Sequence, residues 1–185
     1  MAMIPHICDI KSMASSPVRN YAIPGLTSWL IGGPEHGKVR LFECSRSHDE
    51  HIVPHSHRFA FSCLVLAGKV HNKRFFRVDA GGDEFIESTI TYTGSIGKHT
   101  VSRGEVARYE SAVETHTQGC WYHMEADEVH SIWFERDTKV LFFECPNISD
   151  TSIVLEPFVD GDRIPTFKTE PWMFARATPQ EPSHE

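Results

Sequence analysis

No stretch of this sequence approaches the roughly 18 consecutive apolar residues that a membrane-spanning helix needs, so no membrane partner is expected. The start, "MAMIPHICDIKSM", has neither a basic segment nor a continuous apolar one, and no secretory signal is read there. Basic residues are also in deficit, at 18 Lys and Arg against 25 Asp and Glu. That balance argues against a nucleic-acid partner, which calls for a basic face. The local run "KRFFR" reads as the edge of a strand. Paired cysteines are missing as well. Cys8, Cys44, Cys63, Cys120 and Cys145 form an odd, dispersed set with no CxxC, which points to reduced thiols and a cytoplasmic setting rather than a disulfide framework or zinc ribbon. P-loop, nucleophile-elbow, HExxH and GxGxxG patterns are all absent, leaving hydrolytic and nucleotide-dependent classes without support. There is no internal repeat.

Helical stripes are scarce, limited to residues 7–15 and 104–113. What dominates is a period of two. Residues 27–32, 38–45, 59–66, 69–78, 87–94, 119–124, 129–134 and 138–145 are short segments rich in β-branched and aromatic residues, punctuated by Gly, Asp, Asn or Pro. Many short strands at near-regular spacing predict an all-β sandwich or barrel. "DAGGDE" (79–84) reads as a hairpin or loop tip, and residues 93–105 as a longer connection. After Cys145 the chain turns Pro- and Asp-rich, with a strand at 151–156 and aromatics Phe167, Trp172 and Phe174 expected to clasp the barrel. One domain over residues 1–175 and a disordered tail at 176–185 complete the expected organisation.

Histidine is the residue in excess. The stretch "HDEHIVPHSH" holds His48, His51, His55 and His57, four of the twelve in the chain. In a strand, residues two apart share a face, so His55 and His57 point together with Ser56 opposite. Continuing the alternation puts Phe59, Phe61, Cys63 and Val65 on the same side. A buried imidazole pair needs a partner, and a metal ion is one that satisfies it. His48 and His51 precede Pro54 and are expected in a loop at the mouth. A second stretch, "GCWYHMEADEVHSIWF", carries Gly119, His123 and then His130 opening another strand.

Together these stretches resemble the cupin superfamily, whose first motif runs G(x)5HxH(x)3–4E(x)6G and whose second runs G(x)5PxG(x)2H(x)3N. His55, His57 and Gly68 fall at the first motif's spacing, with Asp49 at its opening glycine and Phe61 where the glutamate ligand would stand. Gly119 and His130 match the second, while Glu125, Asp127 and Phe134 replace its proline, glycine and asparagine. The resemblance implies a cupin-like double-stranded β-helix with His55, His57 and His130 as metal ligands. With Phe61 in place of the carboxylate, it is the three-histidine arrangement of the thiol dioxygenases that the site is similar to. The implied metal is Fe(2+), with Zn, Mn or Ni as alternatives.

Such a site lacks an anion of its own and suits a small thiolate or other small anionic substrate. Cys63, His71, Tyr122 and His123 are candidate pocket residues, and Phe59, Phe61, Trp121, Trp133 and Phe142 candidate walls. Tyr92 and Tyr109 are further hydrogen-bond donors, and Arg40 or Arg46 could take a substrate carboxylate through a bidentate contact. Cys63 is not at the position of the family's cysteine–tyrosine cross-link, which corresponds to Phe61. The expected activity is that of a non-haem iron dioxygenase. Two other classes stay open: a non-catalytic small-ligand-binding module, and a cupin-type isomerase or epimerase using Glu43 or Glu144 as base. Apolar residues on both strand faces make a homodimer a reasonable expectation.

Overall fold

The structure is a computed structural model, and it describes residues 11, 14, 16–32, 38–48, 52–93 and 99–158. Its strands are Val18–Arg19 (β1), Leu26–Leu30 (β2), Lys38–Cys44 (β3), Phe61–Ala67 (β4), Lys69–Val78 (β5) and Asp83–Tyr92 (β6). His99–Thr117 (β7), Trp121–Met124 (β8), Val129–Phe134 (β9), Lys139–Glu144 (β10) and Thr151–Pro157 (β11) follow. Among the described residues no helix is long and apolar enough to cross a membrane. The chain is nearly all β, as its period-two patterning predicts.

Two antiparallel sheets form, in the orders β1-β2-β3-β10-β4-β8 and β11-β6-β7-β5-β9. Between β3 and β4, the segment around His55 bridges to His130 on β9 and to Val154 on β11. Counting that segment, β3, the His55 segment, β4, β5, β7, β8, β9 and β10 wind back and forth between the sheets. This is a jelly roll, the double-stranded β-helix that the resemblance implies. The His55 segment also covers both outer strands of the second sheet, hydrogen-bonding edges that would otherwise be open.

The inward alternation of β4 fills the space between the sheets. Phe61, Cys63 and Val65 are buried there with Val70, Tyr122, Met124, Phe134 and Val140. A second cluster, Phe75, Phe85, Ala107, Tyr109, Val129 and Leu155, closes the other end of the five-stranded sheet. Gly68 makes the β4–β5 turn at φ +73°, and a Cβ there would lie 2.6 Å from Thr138 Oγ1. That hydroxyl is committed to the same turn, donating to the Lys69 carbonyl at 2.8 Å.

Some sequence expectations of the fold fail. Residues 93–105 and the helical stripe at 104–113 largely become β7, a 19-residue strand. It pairs with β6 through its first half and with β5 through its second, while most of its side chains face solvent. Strand pairing holds it without an apolar face, so no period-two signal marks it. Of the two readings of "DAGGDE", the loop holds and the hairpin does not. Both β5 and β6 run antiparallel to β7, and Arg108 and Tyr109 pair with both, so residues 79–82 carry the chain across β7 from one side to the other. Gly82, at φ +66°, makes the crossing, and a Cβ there would lie 2.5 Å from the Tyr109 carbonyl oxygen. The helical stripe at 7–15 falls almost wholly outside the described residues, as do Phe167, Trp172, Phe174 and the 176–185 tail.

Candidate metal centre

Pro54 has no N–H to give to a sheet, but its carbonyl accepts from Leu155 N at 2.9 Å. Ser56, pointing away from the two histidines, fastens the segment further: its Oγ accepts from Ile153 N, and its N donates to Ile153 O, each at 2.8 Å. His55 N donates to His130 O at 2.9 Å and His130 N returns the bond at 3.0 Å. The backbone ladder therefore sets His55 and His57 directly against His130.

The three rings lie with centroids 4.7 Å (His55–His57), 5.2 Å (His55–His130) and 5.1 Å (His57–His130) apart. One nitrogen from each can be chosen so that all three lie within 4.8 Å of one another. Two of the rings are fixed in tautomer. His55 Nδ1 stands 2.7 Å from the Val53 carbonyl oxygen, and His130 Nδ1 stands 2.6 Å from Asn72 Oδ1. Each of those oxygens can only accept, so both Nδ1 atoms donate and both Nε2 atoms keep a free lone pair. Asn72 is fully buried, and its amide nitrogen donates to Met124 Sδ at 3.3 Å. His57 Nε2 faces His130 Nε2 at 2.9 Å, so without a metal a proton on His57 must bridge them. An ion held there would take that proton's place.

Burial is the largest cause lowering the His55, His57 and His130 pKa values, the latter two well below the ordinary imidazole value. For His57, the charge on His55 adds to the effect; for His130, the charges on His55, His57 and Arg74 do. All three are neutral at pH 7, the form that binds a metal. The donor set fits a divalent ion of the imidazole-binding kind: zinc, iron, nickel or copper. No carboxylate joins it among the described residues. Phe61 is 2% exposed instead, with its ring 5.0 Å from His57 and 5.7 Å from His130.

The histidines open on a cavity of about 570 Å³. Phe59, Phe61 and Phe142 line it as expected, with Cys63 and Tyr122. Cys63 and Tyr122 are direct cross-strand partners and share a hydrogen bond. Burial pushes the Cys63 thiol up to about 12, against the smaller lowering from Tyr122, so the sulfur is protonated at neutral pH. Burial, then Cys63, raises Tyr122 well above its ordinary value.

The other two pocket candidates face away. His71 lies between the inward Val70 and Asn72, so its ring points outward, stacks on Trp133 at 5.0 Å, and meets Glu135 Oε1 at 3.2 Å. His123, between the inward Tyr122 and Met124, bonds Ser62 Oγ at 3.0 Å and Glu125 Oε1 at 3.1 Å on the surface. Trp133 and Trp121 are outside for the same reason of parity, Trp121 stacking on Phe143 at 5.5 Å. His48 is not a mouth residue: it is buried, with Nε2 2.8 Å from the Pro24 carbonyl oxygen and Nδ1 3.5 Å from Cys44 Sγ. His51 lies outside the described residues.

Tyr92 lines the cavity, whereas Tyr109 sits in the second core cluster and donates to Glu87 Oε2. Arg40 lines it too, while Arg46 is exposed and donates to the Pro24 carbonyl. Glu144 reaches the cavity in an ion pair with Lys38; Glu43 is engaged by Lys11 and Lys139. Sequence reasoning missed Asn72, Lys38 and Arg58. Asn72 stands among His71, Lys73 and Arg74 in β5, so no local pattern in the sequence singles it out.

No family model and no curated protein matches the chain. Solved structures do resemble it. A cupin superfamily protein of Desulfitobacterium hafniense is 11% identical, with 66% of this chain and 78% of that one covered at a TM-score of 0.39. Lactobacillus farciminis oxalate decarboxylase is 16% identical, with 75% of this chain and 32% of that one covered at 0.43. Streptomyces albus HEPD, solved with 2-hydroxyethylphosphonate and Fe(II), is 13% identical, with 74% and 25% covered at 0.45. This chain thus spans about a third or less of the length of the latter two. The strand pairings described above, rather than these low-scoring likenesses, define the fold.

Proposed function

We propose that this protein is a metal-dependent oxidoreductase in which His55, His57 and His130 hold iron(II) and the adjoining cavity takes a small anionic metabolite, a small thiol being the first class to test. The observation that carries the proposal is the juxtaposition of three neutral imidazoles with no carboxylate among the described residues, two of the rings turned Nε2-inward by Val53 and Asn72. Bound iron(II) supplies redox chemistry with molecular oxygen. For a thiol the balance is R–S⁻ + O₂ → R–SO₂⁻, in which both oxygen atoms end on sulfur and no external reductant is required.

The chain's own residues do the rest. Val53 and Asn72 orient two ligands, and an anionic substrate compensates charge that the protein leaves open. Phe59, Phe61 and Phe142 exclude water from the substrate. Cys63, protonated and hydrogen-bonded to Tyr122, competes poorly with a substrate thiolate. An isomerase gains little support, because the one acid expected as base that lines the cavity, Glu144, is held by Lys38.

The test is elemental analysis of untagged protein, wild type and His55→Ala, after growth with added iron, zinc and manganese. Oxygen uptake is then measured over a panel of small thiols and small carboxylates. Near-stoichiometric metal in the wild type, lost in His55→Ala, and iron-dependent oxygen uptake lost in His130→Ala are expected. Substoichiometric metal in both proteins would sink the proposal.

A further inference from the structure

β7 is the longest of the described strands and the least covered. It pairs with β6 through residues 99–109 and with β5, on its other side, through residues 108–117. Among the described residues each half is therefore hydrogen-bonded along one side only, and the two open edges differ. The edge left by residues 99–107 is broken opposite Glu87, where the register shifts between the pairs Ile86–Val106 and Ser88–Arg103. Bulges of this kind blunt an edge against further pairing. The edge left by residues 110–117 is regular: β5 pairs along it without a shift, and it holds no proline and no lysine. Residues 110–113 are all exposed, Val113 at 55%.

The other layer of the barrel ends at the same place. β8 is the outermost strand of the six-stranded sheet, and its Tyr122 stacks on His116 of β7 with ring centroids 4.3 Å apart. Arg74 ties the two layers together, donating to the His123 carbonyl at 2.8 Å while pairing with Glu114 at 3.1 Å. Alternate residues of the 110–117 edge direct their N–H and C=O away from β5, as in any antiparallel ladder. One side of the molecule is thus a rigid, bare backbone edge.

We propose that this edge is the seam of a homodimer, in which β7 pairs antiparallel with the β7 of a second copy about a two-fold axis at Val113. Symmetry and the ladder select that register. In an antiparallel ladder, directly opposed residues either both exchange hydrogen bonds or both do not, and along a strand the two kinds alternate. A residue of β7 can therefore oppose only a residue an even number of positions away, so the axis passes through a residue rather than between two. With the axis at Val113, residues 110–116 pair on each chain. Glu110 then meets the partner's His116, Ser111 the partner's Thr115, Ala112 the partner's Glu114, and Val113 the partner's Val113. Moving the axis to Ala112 sets Glu110 against the partner's Glu114, and moving it to Glu114 sets that glutamate against its own copy. Like charges directly opposite are destabilising, so Val113 is left as the centre of the longest ladder.

Sedimentation equilibrium of the full chain tests the seam, and its outcome does not depend on the metal centre. The wild type is expected at twice the mass of the chain. Val113→Lys sets two lysines face to face across the axis, and Val113→Glu two glutamates. Each is expected to weaken association by at least about tenfold, since like charges juxtaposed at an interface are strongly unfavourable. An equimolar mixture of the two variants is expected to recover the dimer, because lysine then faces glutamate. Val101→Lys, on the other edge of β7, is expected to stay dimeric. A monomeric wild type, a Val113→Lys protein that associates like the wild type, a mixture that stays monomeric, or an equal loss in Val101→Lys overturns the proposal. Should the charged variants fail to fold, Val113→Cys replaces them. A short bifunctional thiol reagent is expected to link it into a covalent dimer well above the wild-type level, and linking no greater than in the wild type overturns the seam.

Discussion

Replacing Asn72 by leucine removes the acceptor for His130 Nδ1 while keeping roughly the same volume. In the native protein that bond is 2.6 Å long, Asn72 is fully buried and His130 is 2% exposed, so no water can take its place. Two effects follow, on different scales. In metal-free protein the imidazole N–H is left buried and unsatisfied, a loss of about 1–3 kcal/mol of folding stability. The ring can avoid this by moving its proton to Nε2, but that blocks the lone pair a metal needs. Metal affinity should therefore fall by about 10–100-fold, the usual effect of losing a group that orients a ligating histidine. Competition between the protein and a chelator of known affinity for zinc measures the second effect, and urea unfolding in excess chelator measures the first. Asn72→Asp restores an acceptor oxygen at the same place and should recover most of the metal affinity. Zinc binding in Asn72→Leu equal to that of the wild type would show that the tautomer argument is wrong. So would an equal loss in Asn72→Asp.

Burial lowers the pKa of His55, His57 and His130, so on acidification the unfolded chain takes up protons before the native protein does. Stability of chelator-treated protein is therefore expected to fall as pH drops through the ordinary histidine range near about 6.5, and to keep falling towards the lower native values. The urea midpoint at pH 5 should lie below that at pH 7.5, with a shallower dependence in His130→Ala; equal slopes in the two proteins would contradict the assignment. Gly82→Ala tests the chain crossing over β7. Its Cβ meets the Tyr109 carbonyl at 2.5 Å, whereas at Gly81, also at positive φ, a Cβ meets only the Glu110 side chain at 3.8 Å. Thermal unfolding should show Gly82→Ala losing about 1–3 kcal/mol more than Gly81→Ala, since both share the dihedral strain and one adds a backbone collision. Equal losses would mean that the crossing is looser than the register implies.

The parts of the fold that were legible in the sequence are those where burial writes an alternation. β4 shows it best: from Phe61 through Cys63 to Val65, parity along the strand names residues that line the cavity or the core beside it, whereas ahead of the strand the rule slips and Arg58 lines the cavity together with His57 and Phe59. The same rule assigns Tyr122 inward and, followed consistently, His123 outward. His71 and Trp133 were misread because both of their strands carry large residues on both faces, and apolarity alone does not say which face is inside. β7 was invisible because it is held by pairing on both sides rather than by a buried face. His48 was read from its polar, proline-flanked neighbourhood as exposed, yet the Pro24 carbonyl and Cys44 satisfy its ring inside. The partners of a buried polar group come from distant strands, and no local pattern in the sequence shows them.

The substitution that was most legible, Phe61 at the carboxylate position, has a consequence that only the structure completes. A fourth, anionic ligand would hold a divalent ion whether or not a substrate is present. On the proposed reading, with phenylalanine there, an anion entering the cavity would offset the charge on the ion, and Arg40 adds a further positive charge along the same wall. Metal and anion then stabilise each other, and reciprocity requires that each raise the affinity of the other by the same factor. A resident carboxylate would weaken that coupling by neutralising the ion in advance. On the proposed reading, Phe61, packed edge-on against His57 at 82°, leaves the three histidines to hold the metal and an entering anion to tighten it.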